Sequence, residues 1–592
     1  MRILLAAINA KYIHSNLAVY SLKAYVRAEE EIQIAEYTIN QQVNDILMDL
    51  YKKKPDVLCL SCYIWNRMYV QEIVHEIKKI MPQLIIWLGG PEVSYDSKRV
   101  LEELSKVTGV MKGEGEETFL ELVRHYKGAP KTLADISGIT FRDEAGNIVE
   151  NPWRPVMDLS LVPFVYEDME KFEHKIIYYE SSRGCPFSCS YCLSSVDKSL
   201  RFRDMELVKR ELQFFLDKKV PQVKFVDRTF NCKHEHAKEI WRYILEHDNG
   251  VTNFHFEVSA DILDEEEFEL LGEMRPGLAQ LEIGVQSTNP DTIREIKRTM
   301  RFEKVSDAVR RVNESENVHQ HLDLIAGLPH EDYKSFGKSF DDVYRLEPKQ
   351  LQLGFLKVLK GSYMEAQKET YGLLYQSTPP YEVLRTKWLS YDDIIRLKQI
   401  EEMVEVYYNS RQFMHTIAAL GEVFDSPFAL YEKLAGYYEK NGLLSVSHGR
   451  AARYEILLDF IKQYLEEQCR EQAWDAKHVE KYRELLTYDF YLRENAKNRP
   501  AFAKENRAEK EALQEFYRTE EEERKYLKTY DGYDKRQMRK MTHIEKFILL
   551  EEKPFYVLFD YKNRNALDHR AWTIRLETLL QNEGKQYKMD SK

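Results

Sequence analysis

Short apolar runs alternate with amphipathic stretches over the first two thirds of the chain. The runs Ile3–Ile8, Ile32–Tyr37, Asp56–Ser61, Leu84–Leu88 and Val107–Met111 predict buried strands. Between them, Leu17–Arg27, Val43–Lys52, Met68–Ile80 and Glu116–Tyr126 carry apolar residues at the helical period. This alternation predicts an α/β domain with a doubly wound parallel sheet, whose ligands bind beyond the carboxyl ends of its strands. Ile136–Arg142 and Asn147–Glu150 then predict a small hairpin, and Pro152, Pro155 and Pro163 an extended crossing. The alternation resumes in Lys175–Glu180, Gln222–Asp227, Asn253–Val258, Leu281–Gln286, His321–Ile325 and Gln352–Leu359. From about residue 380 long amphipathic patterns dominate, as in Tyr391–Tyr408, Phe428–Asn441 and Ala452–Gln468, with one strand at Phe555–Tyr561. Tyr and Phe at helical spacing predict a helix-bundle core there, and residues 495–540 a solvated, charged surface.

A chain of 592 residues exceeds one core, so several domains are expected. The net charge of −12 argues against a general nucleic-acid surface. Seven cysteines, three of them in one loop, do not form a secreted disulfide pattern. The opening Met1–Ile8 reads as a buried strand and no stretch has the length of a membrane span. A cytoplasmic protein is the expectation.

The candidate chemistry lies in Cys185-x3-Cys189-x2-Cys192, just after the apolar Ile176–Tyr179. Three thiolates can hold three corners of a 4Fe–4S cluster and leave the fourth iron open. A structural zinc site is the alternative, but zinc takes four ligands, and the next candidates, Cys232, His234 and His236, are some forty residues away. With Tyr191 before the last cysteine, the motif resembles the cluster loop of the radical SAM enzymes. The resemblance implies that S-adenosylmethionine chelates the open iron and is cleaved reductively to a 5′-deoxyadenosyl radical, with Cys185, Cys189 and Cys192 as metal ligands at the catalytic centre. It also implies a partial (β/α)6 barrel, which the six βα units of residues 172–370 match. Arg183 could bond the cluster loop or pair with a carboxylate.

Ahead of this loop, Gly89-Gly90-Pro91-Glu92 and Gly113-Glu114-Gly115-Glu116 fall at predicted strand ends, with His14 and Ser61 at others. Together these segments resemble the cobalamin-binding domain that precedes many radical SAM domains, and they imply cobalamin contacts. The axial-histidine motif Asp-x-His-x-x-Gly is absent, since Tyr12 and Leu17 stand where Asp and Gly would, so ligation of cobalt by His14 is left open. Cys59 and Cys62 read as packing residues pointing to opposite faces.

Within the barrel region the resemblance carries further. Asp227 and Thr229 take the place of the segment meeting the methionine amino group, Glu257 resembles a ribose-binding acid, and Gln286 a polar residue facing the cofactor. Asp323 would point inward, with Ala326 and Gly327 against adenine and Tyr191 flanking it. The expected organisation is a cobalamin-binding domain at 1–132, a linker with a hairpin at 133–171, the radical SAM barrel at 172–370, and a mostly helical domain at 371–592. That last region resembles the C-terminal helical domain of unknown function in some relatives, and Cys469 reads as inert. Methylation of an unactivated carbon of a small-molecule or peptide substrate is the first expectation, with an electron donor such as flavodoxin or ferredoxin. Radical cyclisation or rearrangement is the alternative, and a cobalamin- or redox-sensing protein without turnover the alternative of another class. A methylthiotransferase is disfavoured, because the extra cysteine triplet and basic β-barrel of that group are missing.

Overall fold

The computed structural model describes residues 1–468, 476–505 and 508–579, so Cys469 lies outside the described residues. The chain forms two compact units, Met1–Ile394 and Ile395–Lys592.

The first unit contains two parallel sheets. In the first, β1 (Ile3–Asn9), β2 (Gln33–Thr38), β3 (Val57–Ser61), β4 (Ile85–Gly89) and β5 (Gly109–Met111) lie in the order β2-β1-β3-β4-β5. Helices cover both faces because these strands are apolar on both: β1 is buried at every position. Two separate cores result, one containing Leu4, Leu58 and Cys62, the other Leu5, Val57 and Cys59. Cys59 and Cys62 thus pack on opposite sides of the sheet. The hairpin β6 (Ile139–Arg142) and β7 (Ile148–Glu150), expected within a linker, continues this sheet as an antiparallel edge on β5. Ile139 and Phe141 bury their side chains in the second core, which draws the hairpin in.

The second sheet is made of β8 (Ile177–Tyr179), β11 (Gln222–Phe225), β12 (Asn253–Val258), β13 (Ala279–Gln286), β14 (His319–Ala326) and β15 (Gln350–Phe355), all parallel and in sequential order. That order is the open (β/α)6 half-barrel. Between β8 and β11, a short antiparallel ladder pairs β9 (Ser182–Arg183) with β10 (Arg201–Phe202). Leu374–Tyr375 (β16) and Val383–Arg385 (β17) form a second short ladder.

The second unit is helical, as the aromatic spacing predicts. Pro427–Lys440, Arg450–Gln468 and Ala476–Arg493 bury Tyr431, Tyr438, Tyr454 and Phe490. The predicted strand is the centre of a three-stranded antiparallel sheet, Thr542–Phe547, Phe555–Arg564 and Ala571–Leu576. Its two edge strands carry less continuous apolar character than the central one, which hid them in the sequence.

Candidate functional site

The β9–β10 ladder pinches the base of a loop, residues 184–200, that carries all three motif cysteines. Gly184 opens it at φ +95°, where a β-carbon would lie 2.6 Å from the carbonyl oxygen of Ser199, so only glycine fits. Cys185 and Cys189 are buried, Cys192 is half-buried, and none is in a disulfide. Backbone hydrogen bonds fasten the loop to the barrel: Ser190 N donates to Ile296 O (2.9 Å), and Met364 N to Ser190 O (3.0 Å). Burial pushes the Cys185 thiol up, so it is protonated until a metal displaces the proton. Thr229 Oγ1 stands 3.8 Å from Cys185 Sγ.

Among the described residues, His234, Asp264 and Glu267 form the one set of three or more His, Cys, Asp or Glu whose ligand atoms all lie within 4.8 Å of one another. The three cysteine sulfurs are thus not all within 4.8 Å of one another, whereas a tetrahedral zinc with Zn–S bonds of about 2.3 Å needs its sulfurs roughly 3.8 Å apart. Two of the alternative zinc ligands, His236 and His234, are also engaged elsewhere. His236 Nε2 is 2.9 Å from Ser181 Oγ, and His234 Nδ1 is 3.0 Å from Glu267 Oε2.

Asp227 is fully buried and both its oxygens are taken: Ser181 N (3.0 Å), Ser181 Oγ (2.6 Å) and Ser182 Oγ (2.6 Å) donate to it. It ties the entry of the cysteine loop to the end of β11, and burial lifts its carboxyl to about 6. Glu257, at the end of β12, is lifted to about 7 by burial, against the pull of Arg228. Gln286 sits at φ +71° on a bulge of β13, and its buried Oε1 has no partner in the protein. Asp323 Oδ1 is 3.0 Å from His321 Nε2 but not aligned as a hydrogen bond, and burial holds its carboxyl above the usual range. Ala326 is buried, and Gly327 follows at φ +92°. Asp227, Glu257, Gln286, Ala326 and Gly327 lie at or beyond the carboxyl ends of consecutive strands, whereas Asp323 sits in the middle of β14.

Two groups escaped the sequence reading. Arg298 lies half-buried behind the cysteine loop: it donates to Gly284 O and reaches Tyr191 Oη (3.3 Å) and Cys189 Sγ (3.6 Å). No motif marks it. The second is a polar row inside the barrel, where Lys224 Nζ and His255 Nε2 each lie 3.0 Å from Glu282 Oε2, next to His321 and Asp323. The signal for this row was present, since polar residues recur at every second position in β11 to β15, whereas parallel strands buried on both faces are continuously apolar.

The glycine-motif loops of the first sheet face the barrel. Glu114 and Glu116 pair with Arg183, as do Arg201 with Glu114 and Glu180 with Arg183. Arg183 thus takes the carboxylate alternative, with partners on both domains. Glu92 accepts from Tyr381 Oη and lies 3.3 Å from Lys360 Nζ. His14 Nδ1 is 2.6 Å from Tyr178 Oη, and Ser61 Oγ accepts from Asn16 Nδ2 (3.3 Å). Gly89, Gly90 and Pro91 follow β4, and Gly113 and Gly115 flank Glu114. At the same strand ends Tyr12, Ile13 and Trp65 remain exposed, an apolar surface on which a large flat ring can lie.

Three segments of the chain match known protein families. Residues 3–123 match the B12 binding domain, residues 179–343 the Radical SAM superfamily, and residues 369–559 a family described as "Protein of unknown function (DUF4080)". An uncharacterized methyltransferase of Pyrococcus horikoshii is 28% identical over 236 residues, 38% of this chain and 51% of that protein. The 2-(S-pantetheinyl)-carbapenam-3-carboxylate methyltransferase of Streptantibioticus cattleyicolor is 26% identical over 306 residues, 48% of this chain and 44% of that protein. The chain thus spans about half the length of these curated relatives. Among solved structures, the cobalamin-dependent S-adenosylmethionine radical enzyme OxsB with aqua-cobalamin bound superposes with a TM-score of 0.57 at 18% identity, over 82% of this chain and 80% of that one. At that identity the likeness shows the fold. The chain therefore carries a B12 binding domain, a radical SAM domain and a DUF4080 region.

Proposed function

We propose that the protein is a cobalamin-dependent radical SAM enzyme that methylates an unactivated carbon of a small-molecule or peptide substrate. One observation carries this reading: three free thiols share a loop at the carboxyl edge of the half-barrel, and the strand ends of the B12 binding domain are bonded to the base of that loop. Cys185, Cys189 and Cys192 would hold a 4Fe–4S cluster, Tyr191, Asp227, Thr229, Glu257, Gln286, Asp323, Ala326 and Gly327 would surround S-adenosylmethionine, and the loops at His14, Ser61 and Gly89–Glu92, with the glycines Gly113 and Gly115, would edge the corrin. When bound, these groups supply a hydrogen-abstracting radical and a transferable methyl group.

The chain's own part is to bind, orient and exclude. The Arg298 guanidinium reaches Cys189 and, by holding Tyr191 and the Gly284 carbonyl, fixes the loop against β13. The unpartnered Gln286 Oε1 has an acceptor to offer a bound ammonium or hydroxyl. The Glu257 carboxyl makes no hydrogen bond among the described residues, and its raised pKa favours giving or sharing a proton with a sugar hydroxyl near neutral pH. Asp227 acts through Ser181 and Ser182 to set the loop's entry. We place the protein in the cytoplasm, served by a low-potential carrier such as flavodoxin or ferredoxin. No described helix is long and apolar enough to cross a membrane.

The test is anaerobic reconstitution of the full chain with iron, sulfide and cobalamin, followed by assay of S-adenosylmethionine with a strong reductant. Formation of 5′-deoxyadenosine and S-adenosylhomocysteine, both lost in Cys189→Ala, is the expected result. An intact cluster with no cleavage above the Cys189→Ala background would overturn the enzyme reading in favour of a sensor. Cleavage with bound cobalamin but a substrate product lacking an added methyl carbon would replace methylation by cyclisation or rearrangement.

A further inference from the structure

The acids of the Gly113-Glu-Gly-Glu116 segment do not stand free at the rim of the first sheet. Glu114 Oε1 receives Arg183 Nη1 (2.8 Å) and Arg201 Nη2 (2.5 Å), while its Oε2 receives Met157 N (2.9 Å). Glu116 receives Arg183 Nη2 (2.8 Å), and Glu180 receives the Nε and Nη2 of the same guanidinium (2.9 and 2.7 Å). These side chains are largely buried, from 6% exposed for Glu116 to 20% for Arg183. Arg183 and Arg201 are register partners on the β9–β10 ladder, one on each strand leaving the cysteine loop. Two carboxylates of one domain therefore grip both stems of a loop belonging to the other.

Arginine is suited to this role, because its planar fork binds carboxylates with fixed direction. Buried ion pairs add little net stability, but breaking one leaves a charge without a partner, so they favour one arrangement over near alternatives. The first glycine motif repeats the pattern, with Glu92 bonded to Lys360 and Tyr381 beyond the last barrel strand.

We propose that Glu114 and Glu116 are positioning residues: through Arg183 and Arg201 they clamp the stems of the cysteine loop, so that the B12 binding domain sets the loop's conformation. Their carboxylates act on the protein and not on the corrin. This holds whatever reaction the site performs, because it concerns the chain before any cofactor binds.

The test is amide hydrogen exchange, read by mass spectrometry, on the full-length protein kept anaerobic and reduced without cofactors, joined to an absorbance titration with hydroxocobalamin. In the Glu114→Gln/Glu116→Gln variant, exchange across residues 184–200 accelerates at least about tenfold over wild type, strands β1 to β4 keep their protection, and cobalamin affinity stays within about threefold. Glu114→Arg loosens the loop further, and adding Arg201→Glu restores part of its protection by reversing that one pair, an outcome that a general loss of folding would not give. Unchanged loop exchange with a cobalamin affinity more than about tenfold weaker overturns the proposal and assigns the carboxylates to the corrin. Uniform acceleration throughout the first unit, with no rescue by the reversed pair, overturns it as well.

Discussion

Replacing Arg298 by Gln should make a cluster in the cysteine loop harder to reduce. The guanidinium lies 3.6 Å from Cys189 Sγ and is half-buried. A unit charge at that distance interacts by about 4–5 kcal/mol at an effective dielectric near 20. An electron added to a cluster spreads over its irons, sulfides and thiolates, so roughly a quarter of the charge reaching this sulfur gives about 1 kcal/mol, equivalent to about 45 mV for one electron. The hydrogen bond toward sulfur acts in the same direction, since charge and hydrogen bonds at the sulfurs tune such potentials. The midpoint of Arg298→Gln should therefore fall by about 50–100 mV, and that of Arg298→Lys by less. The assay is a redox titration of the anaerobically reconstituted protein followed by electron paramagnetic resonance, with iron and sulfide counted in the same samples. A midpoint within about 15 mV of wild type, in a variant that assembles its cluster fully, would refute the electrostatic reasoning and leave Arg298 as a packing residue.

Gly184→Ala should abolish cluster assembly while sparing the fold: the added methyl group meets the Ser199 carbonyl at 2.6 Å, and the residue is held at a positive φ that costs a side chain about 1–2 kcal/mol even without the collision. Bound iron after reconstitution should drop well below half of wild type with an unchanged far-ultraviolet spectrum, and normal iron content would show that the loop stem has slack. The buried His236 gives a pH signature. Burial lowers its pKa to about 4 from an ordinary 6.5, so the unfolded state binds the extra proton first. Its contribution is fully present above about pH 6.5 and is lost as pH falls toward 4, by about 3 kcal/mol in all. His236→Gln lacks that loss. Denaturant titrations should thus show the stability gap between wild type and variant shifting by about 3 kcal/mol toward the variant between pH 7 and pH 4, and a pH-independent gap would mean that the imidazole is not held neutral.

What was legible in the sequence followed from local period and local spacing. The strand Asn253–Val258 and the helix Glu116–Tyr126 carry their periods within themselves and were placed to the residue. The cysteine triplet was legible because one short loop contains its whole donor set. Arg298 was not, because nothing in its own neighbourhood distinguishes it. Its role arises only when β13 bulges at Gln286 and brings the Gly284 carbonyl and the cysteine loop to the same guanidinium. The hairpin at Ile139–Glu150 was recognised as a hairpin, but whether it stands apart or extends a sheet depends on which edge its apolar face meets, and that partner, β5, is some thirty residues away. The glutamates of the second glycine motif mark the limit most clearly. Gly-Glu-Gly-Glu located the right loop, yet the chemistry of Glu114 and Glu116 is decided by Arg183 and Arg201, more than sixty residues downstream. A motif fixes where backbone can come close, and tertiary contact decides what its charges do. For that reason the loop exchange of the Glu114→Gln/Glu116→Gln variant reports on something that cofactor-binding residues read from a motif cannot: whether one domain holds the other's ligands in place before any ligand arrives.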